Sequence, residues 1–255
     1  MYMIESLKQF DEEIERIKKD NTDCSKTLYR GQVDSSWEII SSLERIGIEE
    51  ISCKEYYSHI DKLKPLINPL IKNKFTRKMT PSGYPFKFDE YDEGSWNLPE
   101  MEYLTYLRHH GFPTPIIDWT ESHYVALFFA CEDFAKSKSN GKVFVYNERI
   151  NGHIGGDNIP NLGRIGRYVE TDKRHFAQQA QYLIPVMYEK EWKLITFKKV
   201  KEDKTNNYDF IEIEIVNEAK RTIIKELRKM NINRYTMYLD EDSLIRNFAD
   251  ELSLK

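Results

Sequence analysis

Between His109 and Ala130 the chain reads HHGFPTPIIDWTESHYVALFFA, which sets a His pair, a Gly turn, the cluster Asp118-Trp119-Thr120-Glu121-Ser122 and an apolar helix start side by side. A core needs only the apolar runs. An Asp, a Trp, a Thr and a Ser crowded between two such runs mark the wall of a cleft. There a carboxylate can orient a hydroxyl, hydroxyls can hold a sugar or a phosphate, and an indole can pack on a flat ring. Upstream, Tyr29-Arg30-Gly31-Gln32 places a guanidinium beside a glycine. A guanidinium is a planar fork of hydrogen-bond donors, and the structural alternative for Arg30 is an ion pair with Asp118. His109 and His110 stand at a helix end, where histidine caps carbonyls more often than it acts as a base, and with His123 they match no zinc spacing.

The elements that must carry these residues can be read from periodicity. Ile4, Leu7, Phe10, Ile14 and Ile17 predict an amphipathic helix over 3–19. Thr27 to Gly31 predicts a short strand, and residues 49–73 a helical stretch broken at Pro65 and Pro69. The Pro, Gly, Asp and Tyr-rich segment near 80–96 predicts a mobile loop, followed by a helix from Pro99 to Arg108 and a buried helix from about Ser122 to Ala135. Strands follow at Lys142–Tyr146, Tyr182–Met187, Trp192–Phe197 and Tyr208–Val216, the last alternating as DFIEIEIV, with KKVKEDKTNN as an exposed hairpin loop. Helices from Asn217 to Met230 and after Asp240 close the chain. Early helices and late strands predict one α+β domain over 1–255, a largely antiparallel sheet with flanking helices and a helical N-terminal elaboration.

Composition narrows the function classes. A net charge of −4 argues against a protein that coats nucleic acid, although seven Lys/Arg against two acids from Lys54 to Lys78 form a local basic run. That run reads as a solvated helix face or a surface for nucleic acid. The 16 Tyr and 13 Phe serve a core first and a ring-stacking site second. Cys24, Cys53 and Cys131 are widely spaced and odd in number, which predicts reduced thiols in a cytoplasm. No run has membrane-spanning length, so no membrane partner is expected.

Tyr29-Arg30-Gly31-Gln32, Trp37 and Ser42-Leu43-Glu44-Arg45 resemble the FRG domain family, named for a Phe/Tyr-Arg-Gly triplet. The resemblance continues at His110-Gly111, Pro113-Thr114, Asp118-Trp119-Thr120 and Ala126 to Ala130, then at Arg174 with Ala177-Gln178-Gln179, and so covers roughly residues 28–184. His109 stands where the family has Gln, Pro115 where it has Arg and Ala180 where it has Gly. The order of the blocks also resembles an ADP-ribosyltransferase: an Arg on the first core strand, a Ser/Thr-rich strand end before a helix, then a Gln-bearing strand.

These resemblances imply an ADP-ribosyltransferase-like core that uses NAD as co-substrate. Tyr29, Arg30, Gly31, Gln32, His110, Trp119, Thr120, Ser122 and Tyr124 would then bind the dinucleotide. Arg30, Asp118, Thr120, and Gln178 or Gln181 would serve the chemistry, with Gln179 as the third amide to weigh. Cleaving a glycosidic bond develops positive charge on the ribose, which a carboxylate stabilises and a Gln amide cannot. That charge must come from Asp118, Glu121 or Glu170. The implied role is an intracellular toxin or antiviral effector that transfers ADP-ribose to nucleic acid, RNA included, or to protein, and is restrained by a neutralising antitoxin. An NAD glycohydrolase and a non-catalytic binding module of the same fold are the alternatives.

Overall fold

The computed structural model describes residues 2–71, 75, 100–149, 157–165, 173–203, 205 and 208–254. The expected loop near 80–96 lies outside the described residues, as does Glu170. One nine-stranded sheet organises the rest, formed by β1 (Tyr2–Ile4), β2 (Cys24–Gln32), β3 (Ile51–Ser52), β4 (Ile117–Thr120), β5 (Gly141–Arg149), β6 (Asn161–Ile165), β7 (Ala180–Glu189), β8 (Glu191–Leu194) and β9 (Tyr208–Ile215). The strand order is β1-β9-β5-β2-β4-β7-β8-β3, with β6 paired to β7. Among the described strands the β1–β9 pair is parallel and the other ladders are antiparallel, with one isolated parallel bridge between Asp157 and Tyr188. The molecule is therefore α+β, with a mixed, mostly antiparallel open sheet.

The helices are α1 (Leu7–Asp20), α2 (Ser42–Arg45), α3 (Cys53–Asp61), α4 (Lys64–Ile67), α5 (Met101–His109), α6 (His123–Cys131), α7 (Arg174–Ala177), α8 (Phe197–Glu202), α9 (Asn217–Lys229), α10 (Arg234–Tyr238) and α11 (Glu241–Ser253). Opposed residues of an antiparallel ladder share a face, so Tyr29, Thr120 and Ala180 lie on one side of the sheet. That side carries two cores. In the first, Phe10 and Ile14 of α1, Ala126 and Ala130 of α6, and Ile223 of α9 pack on Val143, Val145, Ile213 and Ile215. In the second, Tyr57 of α3 and Leu104 of α5 pack on Tyr182, Ile184 and Leu194. The opposite face buries Leu28, Trp119, Phe144 and Leu183 under Phe197 and Val200 of α8.

Several sequence expectations are corrected here: the strand expected over Trp192–Phe197 ends at Leu194, and Ile51 and Ser52 of the expected helical stretch 49–73 form β3. Ile4 belongs to β1, opposite Ile215, rather than to the first helix, which starts only after the Ser6 cap accepts from the Gln9 N–H. The KKVKE run is the helix α8 and not a loop: Thr196 caps the Lys199 N–H, and Phe197 and Val200, three apart, anchor one face. Among the described residues no helix is long and apolar enough to cross a membrane.

Candidate functional site

The sheet is least continuous at its centre. β2 and β4 share a single register pair, Tyr29 opposite Thr120, and the ladder does not continue past it. Arg30 reaches across this parting, and its Nη1 donates to the Asp118 carbonyl oxygen at 2.5 Å. A strand carbonyl that has lost its ladder partner thus recovers a donor. A cleft of 460 Å³ opens here between the two cores, walled by Arg108 and His109 of α5, Phe129 of α6, Arg174 and His175 of α7, and Tyr238 of α10.

Arginines dominate its charge. The Asp118 carboxylate is held by Arg108, which donates from Nε to both oxygens at 3.1 Å and again from Nη2, while Arg108 Nη1 donates to Ser42 Oγ at 3.2 Å. The ion-pair alternative for Arg30 is thereby resolved: Asp118 meets Arg30 through its backbone and Arg108 through its side chain. Burial lowers the Arg30 guanidinium to about 10; Asp118 opposes this, while Arg108 and Arg45 push it further down. It stays charged at neutral pH. Its Nε is buried and has no hydrogen-bond partner among the described residues. Arg174 donates from Nε to the Tyr238 carbonyl at 2.6 Å and from Nη2 to Asp240 at 2.5 Å.

Burial alone would raise the Asp118 carboxyl, but Arg108, with Arg30 and His109 behind it, more than reverses that and leaves it below its ordinary value. A carboxyl depressed in this way contributes stability that is fully present above its unfolded pKa of about 3.9 and is lost as pH falls through the folded value. The Tm advantage of the wild type over Asp118→Asn should therefore hold steady from pH 7 down to about pH 5 and shrink below about pH 4. A gap that persists undiminished at pH 3 would mean that the carboxylate is not what Arg108 holds.

The other expected site residues divide. Tyr29, Gly31, Trp119, Thr120 and Gln178 line the cleft with Arg30 and Asp118. Thr120 Oγ1 donates to the Gln178 carbonyl at 2.6 Å and accepts from the Ser122 N–H, and Gln178 Nε2 donates to the Met237 carbonyl at 2.9 Å. These bonds tie β4, α7 and α10 into one frame. Trp119 is buried on the opposite face against Tyr146 and Phe197. Ser122 caps α6 through the Val125 N–H, Tyr124 packs with His123, and exposed His110 ends α5 against Tyr106. Gln32 is buried, its amide donating to the Glu38 carbonyl at 3.4 Å.

The Gln segment is not a simple strand edge. Gln178 ends α7, Gln179 takes a left-handed φ of 46°, and only Ala180 begins β7. Gln181 is buried and donates to Glu121, which pairs with Lys26 at 2.5 Å, and both line an adjacent hollow that shares His175 and Ala180 with the cleft. Of the amides considered, Gln178 is therefore the one at the cleft wall. Sequence reasoning missed Arg108, His109, His175, Tyr182 and Tyr238 as cleft residues. His175 Nδ1 lies 3.2 Å from the Tyr182 hydroxyl, a pairing with no local sequence signal.

The basic run of α3 and α4 is only partly a surface. Lys64 is buried, paired with Asp61 at 2.9 Å and Glu100 at 2.5 Å. Tyr56 and Tyr57 belong to the second core. Lys72, Lys74, Arg77 and Lys78 lie outside the described residues.

Residues 25–139 match the family model described as the FRG domain. No curated protein and no solved structure matches the chain.

Proposed function

This chain carries an FRG domain over residues 25–139, and from that premise we propose that its central cleft binds NAD and that the domain transfers ADP-ribose to a macromolecule. The observation that carries this reading is Arg30, a charged guanidinium at the parting of β2 and β4 whose buried Nε has no partner among the described residues. A buried donor without an acceptor costs about 1–3 kcal/mol, a cost that a bound anion would remove. With Arg108 and Arg174 also on the wall and Asp118 as the carboxylate among the lining residues, the lining carries a net positive charge that suits a pyrophosphate. The volume of 460 Å³ falls within the ordinary range for small-molecule sites.

In this role Arg30 holds phosphate or ribose oxygens and Tyr29 and Phe129 supply apolar wall. Gln178 stands where an amide can orient a hydroxyl. NAD supplies the glycosidic bond that transfer requires. Asp118 is the carboxylate best placed to stabilise charge on the sugar, because its side chain is 42% exposed toward the cleft. The acceptor, nucleic acid or protein, the cytoplasmic toxin or antiviral role and a neutralising partner rest on the family resemblance.

A second reading has its own observation. Among the described residues the carboxylates in and beside the cleft are engaged, Asp118 by Arg108, Glu121 by Lys26 and Asp240 by Arg174. A domain whose acids are all neutralised can bind a dinucleotide without turning it over. Titrating NAD into the protein by calorimetry separates ligand binding from catalysis. Saturable binding that weakens with added salt is expected, and an absence of heat at millimolar NAD would remove NAD as the ligand.

A further inference from the structure

The C-terminal helix α11 is packed the wrong way round for a surface helix. Its inward residues are polar: Ser243 and Asn247 are buried, Asn247 accepts from Arg228 at 2.7 Å, and Asp250 accepts from Arg234 at 2.9 Å. Its outward side carries an apolar row, with Ile245 62%, Phe248 61% and Leu252 70% exposed beside Leu244, flanked by the exposed charges of Glu241, Asp242, Arg246 and Glu251. At about 100° per residue Ile245, Phe248 and Leu252 form an i, i+3, i+7 seam, the spacing by which one helix packs along another. Scattered exposed leucines need no explanation, but a continuous apolar ridge on one helix does.

Beside the ridge lies a second groove, between α11, the end of α6 and the turn at Trp37. Five of its lining residues are carboxylates and three are cations. Arg234 pairs with Glu132 and Asp250, and Arg174 pairs with Asp240. Asp133 and Asp242 make no ion pair among the described residues, and Trp37, 50% exposed, presents an aromatic surface at the same groove. Carboxylates beside an exposed indole suit a Lys or Arg side chain, which gains charge pairing and cation–π contact together.

We propose that the outer face of α11, with the acidic groove beside it, docks a basic amphipathic helix of a partner protein. Charge complementarity selects this occupant. The ridge is bordered by Glu241, Asp242 and Glu251 against Arg246, so a second copy would bring like charges together and an anionic membrane surface would be repelled. The site is independent of NAD chemistry, although Tyr238 lines both this groove and the central cleft.

The test uses a fluorescein-labelled peptide of about 18 residues, five helical turns, made of Leu at helical spacing and Lys elsewhere, and a counterpart with Glu in place of Lys. Fluorescence anisotropy should show the Lys peptide binding the wild type and the Glu peptide binding at least about tenfold more weakly. Phe248→Glu, and separately Asp133→Lys with Asp242→Lys, should each weaken the Lys peptide by about tenfold, while Glu12→Lys on the exposed face of α1 leaves it unchanged. Light scattering should give a monomer for the wild type. All substituted side chains are at least partly exposed, and circular dichroism confirms that each variant is folded. Equal binding of the two peptides, equal loss in Glu12→Lys, a dimer dissolved by Phe248→Glu, or vesicle flotation abolished by Phe248→Glu would each overturn the proposal.

Discussion

Gly31→Ala is expected to destabilise the protein by more than about 3 kcal/mol, at the upper end of overpacking costs, and to leave little folded material. A Cβ at position 31 would stand 1.8 Å from the Ala126 carbonyl oxygen and 2.7 Å from the Ala130 nitrogen, both in the backbone of α6. Neither atom can rotate away, so α6 would have to lift off β2 and open the core formed by Ala126, Ala130 and Val143. Gly111 is the matched control, because it has open space but a φ of +79°. There the same substitution should cost only about 1–2 kcal/mol, the price of a left-handed residue. Thermal unfolding measures both, and a Gly31→Ala Tm within a degree or two of wild type would mean that α6 does not lie against β2 as described.

Arg30→Ala carries the second large effect. Charge-assisted hydrogen bonds are worth roughly 1.5–3 kcal/mol, so losing even one from the dinucleotide should weaken NAD by about tenfold to a hundredfold in a protein that still folds. Arg30→Lys keeps the charge but loses the planar fork, one arm of which holds the Asp118 carbonyl and the rest of which the proposed site gives to the ligand, and should recover little of the affinity. Calorimetric titration of folded Arg30→Ala with wild-type NAD affinity would remove Arg30 from binding. Unfolding of Arg30→Ala but not of Arg30→Lys would instead assign it to holding β2 against β4.

Long periodic elements were legible in the sequence because their apolar residues recur at the period of the element. The DFIEIEIV alternation is β9, and α9 buries Ile223, Ile224 and Leu227 on one face, as its spacing requires. Of the Asp118 to Ser122 cluster, Asp118, Trp119 and Thr120 line the cleft, while Glu121 lines the adjacent hollow and Ser122 caps α6. Gly31 was legible as a special position but not in its cause, because its neighbour in space is a helix about a hundred residues away in sequence. The Arg108–Asp118 pair was hidden by the turn through Gly111 and Pro113, which folds the end of α5 back beside β4. The Gln-bearing strand implied by the resemblance holds for Gln181 in β7 but not for Gln178, which caps α7, a helix of four residues, too short for a helical period to show in sequence.

Outward polarity is the usual rule for a terminal helix, and α11 breaks it. A helix after Asp240 was legible in the sequence, and Asp240 caps it, but periodicity alone cannot say which face turns inward. Arg228 and Arg234 decide that by capturing Asn247 and Asp250.

The most direct test of NAD turnover is release of nicotinamide by the purified protein, with and without RNA or cell lysate, in the wild type and in Asp118→Asn, Gln178→Ala and Gln181→Ala. Release by the wild type should fall sharply in Asp118→Asn and in Gln178→Ala, with turnover reduced more than affinity, while Gln181→Ala, whose amide faces Glu121 outside the cleft, stays nearer wild type. NAD binding without nicotinamide release under any of these conditions would contradict the transfer reaction and leave a dinucleotide-binding module.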